Sequence, residues 1–481
     1  MMSSLPSLYR LRYPAILVYM LQNTEYQIGP YLQWYWRTQD FSRVEHRRRL
    51  VYTRPARLLL LIIVIGILAQ IGLGLGLIWL WWRGALPGGW AFGLALILAY
   101  PVVWAHLIVL PLIAGRLLVV LPRQRRQIAV SEQIFQRHPG EKIAIVGSYG
   151  KTSMKELLLT VLSAGKKVAA TPANLNVAVS HAAFARQLEG DEDILLIEYG
   201  EGAPGDVARF ARTTHPTRAV ITGVAAAHLD KYKSTHDAGK DIFSVAGYLS
   251  DKSRCYVNND CAACDTFIRG QAFQGYSHEG ALGWKVRDVS VNIHGLEFTL
   301  VKAQRRIRVR SGLLGRHNIG PLSLAAGLAA EFGIGIRQIE AAVAGTLPFE
   351  HRMQPYQLNG AWIIDDTYNG NIEGIKAGTA LLKELPARRK LYVTPGLVDQ
   401  GAETKAVHRS MGQYIAAAEP DKVILMKNSA TEFIAAGLTQ AGYKGEVVVE
   451  SDPLGFYSNI DKYIAAGDLV MMQNEWPDNY A

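Results

Sequence analysis

Residues 143–162 read IAIVGSYGKTSMKELLLTVL. An apolar run ends in Gly147-Ser148-Tyr149-Gly150-Lys151-Thr152-Ser153, and a helical pattern follows. That order suits phosphate binding. Glycines let backbone N–H groups approach phosphate oxygens, and a helix N-terminus adds the positive end of its dipole. Lys151 can reach the outer phosphates of a nucleoside triphosphate, and the Thr152 hydroxyl can hold a magnesium ion. The longer form of such loops would place glycine at 145. Ile145 stands there, so this is a shortened variant. A glycine-lysine-threonine run that follows a strand by chance is the plain alternative.

Further stretches carry polar residues that one site could use. They are TPANLNVAVS (171–180), LLIEYG with Glu198, AAAHLDKYKSTHDAGKDIF with His228 and Lys240, and GLLGRHNIG with His317 and Asn318. FEHRM follows with Arg352, then IIDDTYNGN with Asp366, Tyr368, Asn369 and Asn371. In this order, from about 142 to 415, they resemble the Mur ligase family, and within it the branch that adds D-alanyl-D-alanine to a muramoyl tripeptide. The resemblance implies a central phosphate-loop ATPase domain followed by a Rossmann-like α/β domain.

It also implies roles. Gly147, Ser148, Gly150, Lys151, Thr152 and Ser153 would bind the nucleotide, together with His317, Asn318, Arg352, Asp366 and Asn369. Thr152, Glu198, His228 and Lys240 would hold metal, the last as a carbamate. Lys151, His228, Lys240 and Arg352 would be catalytic. Each has a plainer reading: a surface carboxylate for Glu198, a loop histidine for His228, an exposed helical lysine for Lys240, a helix cap for His317-Asn318, an ion-pair partner for Arg352. For Asn174 and Asn176 a turn role competes with ligand contact.

The chemistry such a site needs follows from first principles. Joining a carboxylate to an amine requires activation, because carboxylate oxygen is a poor leaving group. Attack on a γ-phosphate gives an acyl phosphate, from which the amine expels phosphate. Both steps gather anions, so cations are needed: Lys151, Arg352 and Mg²⁺. A free ammonium cannot ligate a metal, whereas a lysine carbamate can.

The rest of the chain departs from a soluble enzyme. Leu58 to Trp82 and Gly84 to Gly115 contain no Lys, Arg, Asp or Glu. Each run exceeds the ~20 residues that cross a bilayer. Arg43, Arg47, Arg48, Arg49, Arg54 and Arg57 precede the first run, and Arg116, Arg123, Arg125 and Arg126 follow the second. Positive flanks on both sides predict a transmembrane hairpin with its ends, and the catalytic region, in the cytoplasm. The hairpin stands where the family's peptidoglycan enzymes carry a UDP-binding domain. Trp34, Tyr35 and Trp36 fit either an interfacial segment over 11–37 or ordinary helix packing. The formal charge of +10 is partly juxtamembrane arginine and would favour an anionic leaflet. No basic-aromatic pattern in the remainder suggests nucleic acid. The three cysteines, Cys255, Cys261 and Cys264, give half of a zinc ribbon at most and read as plain thiols.

Beyond residue 121, short apolar strands alternate with helices. Strands are expected at 142–146, 194–198, 219–223, 362–365, 390–394, 422–426, 446–450 and 469–472, and helices at 154–163 and 372–385. This predicts α/β domains with largely parallel sheets, and an antiparallel edge near 283–310. The expected division is 1–57, interfacial; 58–120, transmembrane; 121–349, central; and 350–481, C-terminal. The functional expectation is a membrane-bound, ATP-dependent carboxylate–amine ligase of cell-envelope synthesis. Its carboxylate substrate would resemble a muramoyl peptide, lipid-linked or UDP-linked, and its amine an amino acid or dipeptide. A phosphotransferase or NTPase sharing only the loop, and an ATP-binding membrane scaffold, are the alternatives. Pro321, TPGLVDQG (394–401) and the C-terminal MMQNEWPDNYA depart from the family pattern. The last two lie in the domain expected to select the amine.

Overall fold

The computed structural model describes residues 5–38, 40, 41, 44, 50–173, 175–225, 232, 234–368, 370–397, 400 and 403–474. His228, Asn174, Asn369, Arg43 and Arg47 to Arg49 lie outside the described residues. The chain forms two compact units, Met1–Arg126 and Gln127–Ala481.

The first unit is helical. Pro14 and Pro55 stand in the first turns of the Tyr13–Asn23 and Arg54–Trp82 helices, where proline's missing N–H costs no bond. Thr53 caps the second, accepting from the Ala56 amide. At 29 residues that helix is roughly 43 Å long, more than a hydrocarbon core requires. Arg54–Trp82 and Gly89–Arg137 are long and apolar enough to cross a membrane. They touch through small residues: a side chain at Gly74 would meet the Gly93 carbonyl at 2.8 Å, and one at Gly93 would meet that of Gly74 at 2.4 Å. The glycines thus let the two helix backbones approach closely. Their other faces leave Leu61, Ile65, Leu68, Phe92 and Leu98 exposed. The Ile28–Arg37 helix resolves the aromatic question in part. Tyr31 and Tyr35 are buried, the Tyr31 hydroxyl donating to the Ala105 carbonyl at 2.8 Å, while Trp36 is exposed.

The second unit holds two sheets. The larger has ten strands: β1 (Glu141–Val146), β2 (Val168–Ala170), β3 (Ile194–Glu198), β4 (Arg218–Ile221), β5 (Cys255–Asn258), β6 (Gln274–Ser277), β7 (Gly280–Ala281), β8 (Trp284–Asn292), β9 (Gly295–Lys302) and β10 (Arg305–Ser311). Their order is β10-β9-β8-β7-β6-β5-β4-β1-β3-β2. β1 to β6 pair in parallel and β6 to β10 antiparallel, which is the expected parallel body with an antiparallel edge. β1 shows why the run is apolar throughout: Ile143 and Ile145 enter one core layer, Ala144 and Val146 the other. A strand covered on both faces has no polar side.

The second sheet has the order β11-β12-β16-β13-β14-β15. Its strands are β11 (Gln354–Leu358), β12 (Ala361–Asp366), β13 (Arg389–Thr394), β14 (Lys422–Met426), β15 (Glu446–Glu450) and β16 (Asp468–Gln473). Only β11, at the edge, runs antiparallel. The same two-sided alternation recurs: Tyr392 faces one layer, Leu391 and Val393 the other. Observed elements match the expected ones to within a few residues. The helix after the loop starts at Lys151, three residues early, because Gly150 at φ +72° turns the chain directly into it. β4 ends at Ile221, two residues early, where the chain leaves the sheet beside the loop.

Candidate active site

The polar residues collect at the carboxyl ends of parallel strands, where open α/β sheets bind ligands. The loop 147–150 follows β1, Glu198 closes β3, Thr222 follows β4 and Asn258 closes β5. Gly147 has φ +150°, and a Cβ there would lie 2.2 Å from Thr222 Oγ1, so only glycine fits. The Ser148 amide donates to the Gly223 carbonyl at 2.9 Å. The first-turn amides of the Lys151–Leu162 helix have no partner within that helix and supply donors for an anion.

Three side chains of that helix meet β3 and its exit. The Thr152 hydroxyl donates to Glu198 Oε1 at 3.1 Å, and Asn176 Nδ2 donates to the same oxygen at 3.3 Å. The Lys155 ammonium lies 3.3 Å from Glu198 Oε2 and donates to the Ala173 carbonyl. The Lys151 ammonium is 2.7 Å from Glu201 Oε2 and donates to the Gly147 carbonyl at 2.5 Å. Glu198 is 1% exposed and Glu201 4%. Behind them, His181 Nε2 donates to the Glu198 carbonyl at 2.8 Å. Burial pushes the His181 imidazole down to about 4, so it is neutral.

Glu198 Oε2 is buried and, beyond its ion pair with Lys155, accepts no hydrogen bond. With Thr152 and Glu198 Oε1 already adjacent, the donor set suits a magnesium ion that keeps waters and takes phosphate oxygens. Among the described residues, no group of three or more His, Cys, Asp or Glu converges on one point.

In the second sheet Asp366 closes β12 opposite Gln473 on β16. Asp366 Oδ2 accepts from Gln473 Nε2 at 2.7 Å, and Oδ1 accepts from the Met353 amide at 3.2 Å. Burial raises the Asp366 carboxyl to about 6, against the lowering effect of these bonds. The Arg352 guanidinium lies over the Tyr368 ring, 4.7 Å from its centre. Asn371 caps the Ile372–Glu384 helix, accepting from the Gly374 amide at 3.0 Å.

A cavity of about 570 Å³ runs from the phosphate loop to the end of β12, though Lys151, Thr152 and Glu198 are not among the residues that line it. Tyr149, Gly150, Ser153, His317, Asn318, Arg352 and Asp366 all line it, in the size range of a small-molecule site. Pro321 lines it too. Lys240 does not. It sits on the Thr235–Phe243 helix, 63% exposed, 3.8 Å from Asp237 Oδ1. Asn318 stands at the N-cap position of the Ile319–Glu331 helix but makes no side-chain cap bond; its Nδ2 instead donates to the Leu314 carbonyl at 2.7 Å. The cysteines are free and buried, and Cys261 Sγ contacts both the amide and the carbonyl of Val224.

Lys155, Glu201, His181 and Gln473 were not anticipated. Lys155 carried a signal: it stands four residues after Lys151 and thus on the same helical face.

A profile of the Mur ligase middle domain matches residues 145–329, and one described as Mur ligase, glutamate ligase domain, matches 351–473. UDP-N-acetylmuramoyl-tripeptide–D-alanyl-D-alanine ligase of Escherichia coli (strain K12) is 30% identical over 296 residues, covering 60% of this chain and 65% of that protein. The enzyme of the same name from Synechocystis sp. is 28% identical over 301 residues, covering 61% and 64%. The chain therefore spans slightly less than two thirds of the length of these relatives. Among solved structures, MurF from Acinetobacter baumannii superimposes with a TM-score of 0.64 at 19% identity, over 73% of this chain and 77% of that one. MurF ligase from Thermotoga maritima, in complex with ADP, gives 0.62 at 18%, over 73% and 80%. The two structural likenesses speak for the fold, and the two profiles, in order and covering well over half of the sequence, for descent: the chain belongs to the Mur ligase family.

Proposed function

We propose that the chain is a membrane-tethered, ATP-dependent ligase that joins a carboxylate to an amine through an acyl phosphate, in the synthesis of peptidoglycan precursors. The observation that carries this reading is the Thr152–Glu198 pair, 3.1 Å apart at the start of the phosphate-loop helix, with the cavity opening beside it. The shared name of the relatives points to a muramoyl tripeptide as carboxylate and D-alanyl-D-alanine as amine.

The proposed division runs 1–57, 58–120, 121–349 and 350–481. The loop and first-turn amides receive the triphosphate, and His317, Asn318 and Asp366 frame the nucleoside side of the cavity. Thr152 and Glu198 would hold Mg²⁺, which supplies positive charge to the phosphates when bound. A substrate carboxylate oxygen attacks the γ-phosphorus and the bond to ADP breaks. The amine then attacks the acyl carbon, loses a proton, and inorganic phosphate leaves with the carboxylate's oxygen. Lys151 and Arg352 neutralise the charge that builds in both steps. His228 and a carbamate on Lys240 belong to the proposal as ligands of a second ion.

The membrane part rests on the two long apolar helices. Their exposed Leu, Ile and Phe side chains form a surface far more apolar than soluble monomers present to water. The Arg-rich flanks support a cytoplasmic location for both ends of the proposed hairpin. Confinement to the inner leaflet raises the effective concentration of a lipid-anchored partner, so we propose a lipid-linked carboxylate substrate.

The test uses full-length protein in vesicles with ATP. Lipid-linked and UDP-linked muramoyl peptides are offered with a panel of amines, and products are read by mass. Phosphate release that requires both carboxylate and amine supports the ligase. Release that requires neither contradicts it, and exclusive use of the UDP-linked form overturns the lipid-linked substrate.

A further inference from the structure

Glu201 is an unusual neighbour for a phosphate-loop lysine. The Lys151 ammonium is bonded to Glu201 Oε2 at 2.7 Å and to the Gly147 carbonyl at 2.5 Å, with only 12% of the lysine side chain exposed. Three residues earlier on the same segment, Glu198 faces Thr152 and Lys155. Two buried carboxylates therefore border the first turn of one helix, and each ammonium near them is already engaged.

We propose that Glu201 is a positioning residue for Lys151 that makes triphosphate binding conditional on a divalent cation. The inference rests on the phosphate-loop reading given above. An entering γ-phosphate competes with Glu201 for the Lys151 ammonium. If Lys151 turns to the phosphate, Glu201 is left as a buried carboxylate without its cation, facing a further anion. Uncompensated buried charge of that kind is strongly unfavourable. A divalent cation on the Thr152 and Glu198 oxygens restores the balance, because it adds two positive charges where a triphosphate and two carboxylates meet. Without it, Lys151 stays with Glu201 and the loop discriminates against the free nucleotide. Glu201 thereby acts through Lys151 as a filter for the metal-bound triphosphate.

The experiment is equilibrium binding of a non-hydrolysable ATP analogue to the full-length protein in detergent, with Mg²⁺ and, separately, with EDTA. Wild type is expected to bind with Mg²⁺ and poorly in EDTA. Glu201→Gln removes one negative charge and frees Lys151, so its Kd in EDTA should fall by about tenfold or more, narrowing the gap between the two conditions. Glu201→Asp keeps the charge and should stay near wild type. A Glu201→Gln protein that binds with Mg²⁺ but whose EDTA Kd stays within roughly twofold of wild type, or rises, overturns the inference. So does a Glu201→Asp protein that behaves like Glu201→Gln. Wild type that binds no nucleotide even with Mg²⁺ overturns the phosphate-loop reading itself.

Discussion

Lys155 and Glu198 form an ion pair, Nζ to Oε2 3.3 Å, in which neither side chain exceeds 2% exposure. The pair ties the phosphate-loop helix to the end of β3, and the Ala173 carbonyl, also on Lys155, ties in the 171–176 loop. Removing one partner strands the other's charge in a dry site. Lys155→Met is therefore expected to destabilise the second unit by about 3–5 kcal/mol, read as a lower thermal midpoint. Adding Glu198→Gln should restore much of that loss, since the stranded charge disappears. A Lys155→Met midpoint equal to wild type contradicts the assignment.

His181 sets a pH dependence. Its imidazole is buried against Tyr199 and Phe210, and its pKa falls from 6.5 unfolded to about 4 folded. The unfolded chain therefore binds the proton more readily. The stability that comes from keeping this histidine neutral is fully present above pH 6.5 and is lost as the pH falls toward 4. The full difference is about 3 kcal/mol. Thermal midpoints measured from pH 7.5 down to 4.5 should drop, and His181→Asn should flatten that slope. An unchanged slope in the variant places the acid sensitivity elsewhere.

Lys151→Ala should abolish nucleotide turnover in a protein that still folds, although stranding the buried Glu201 carboxylate should lower its thermal midpoint. Its contact with transition-state charge is worth about 3 kcal/mol or more, a loss of roughly a hundredfold or greater. Circular dichroism and the thermal midpoint check the fold, and phosphate release checks the chemistry. Turnover near the wild-type rate shows that this loop is not the catalytic phosphate site.

What the sequence made legible was local. The loop, its helix and the strand ends carry their signals within a few residues, because the turn glycines, the helix start and the apolar run are contiguous. Parallel order was legible from the alternation of strands and helices. The short strands β6 and β7 were not, having too few residues to show a period. Lys155 and Glu201 were missed for a different reason. A buried ammonium is defined by its partners, and these stand 43 and 50 positions away. Gln473 likewise matters only because β12 and β16 are adjacent, 107 residues apart at that contact.

Lys240 offers a direct test of the carbamate. The side chain is 63% exposed and lies 3.8 Å from Asp237 Oδ1, so CO₂ has access to the amine. Protein equilibrated with ¹³C-bicarbonate and Mg²⁺ should show a carbamate carbonyl resonance that Lys240→Ala lacks. Lys240→Ala should also be inactive and partly rescued by short carboxylates. Full activity of wild type in CO₂-free buffer, with no such resonance, removes the carbamate from the account.

The acyl phosphate is the centre of the account, and oxygen tracing tests it most directly. The carboxylate of a muramoyl peptide is labelled with ¹⁸O and incubated with full-length protein in vesicles, ATP, Mg²⁺ and D-alanyl-D-alanine. Each amide formed should deliver one ¹⁸O to inorganic phosphate, because the oxygen that attacks the γ-phosphorus leaves with it. Phosphate that stays unlabelled while amide accumulates, or label-free hydrolysis of ATP that ignores both substrates, contradicts it.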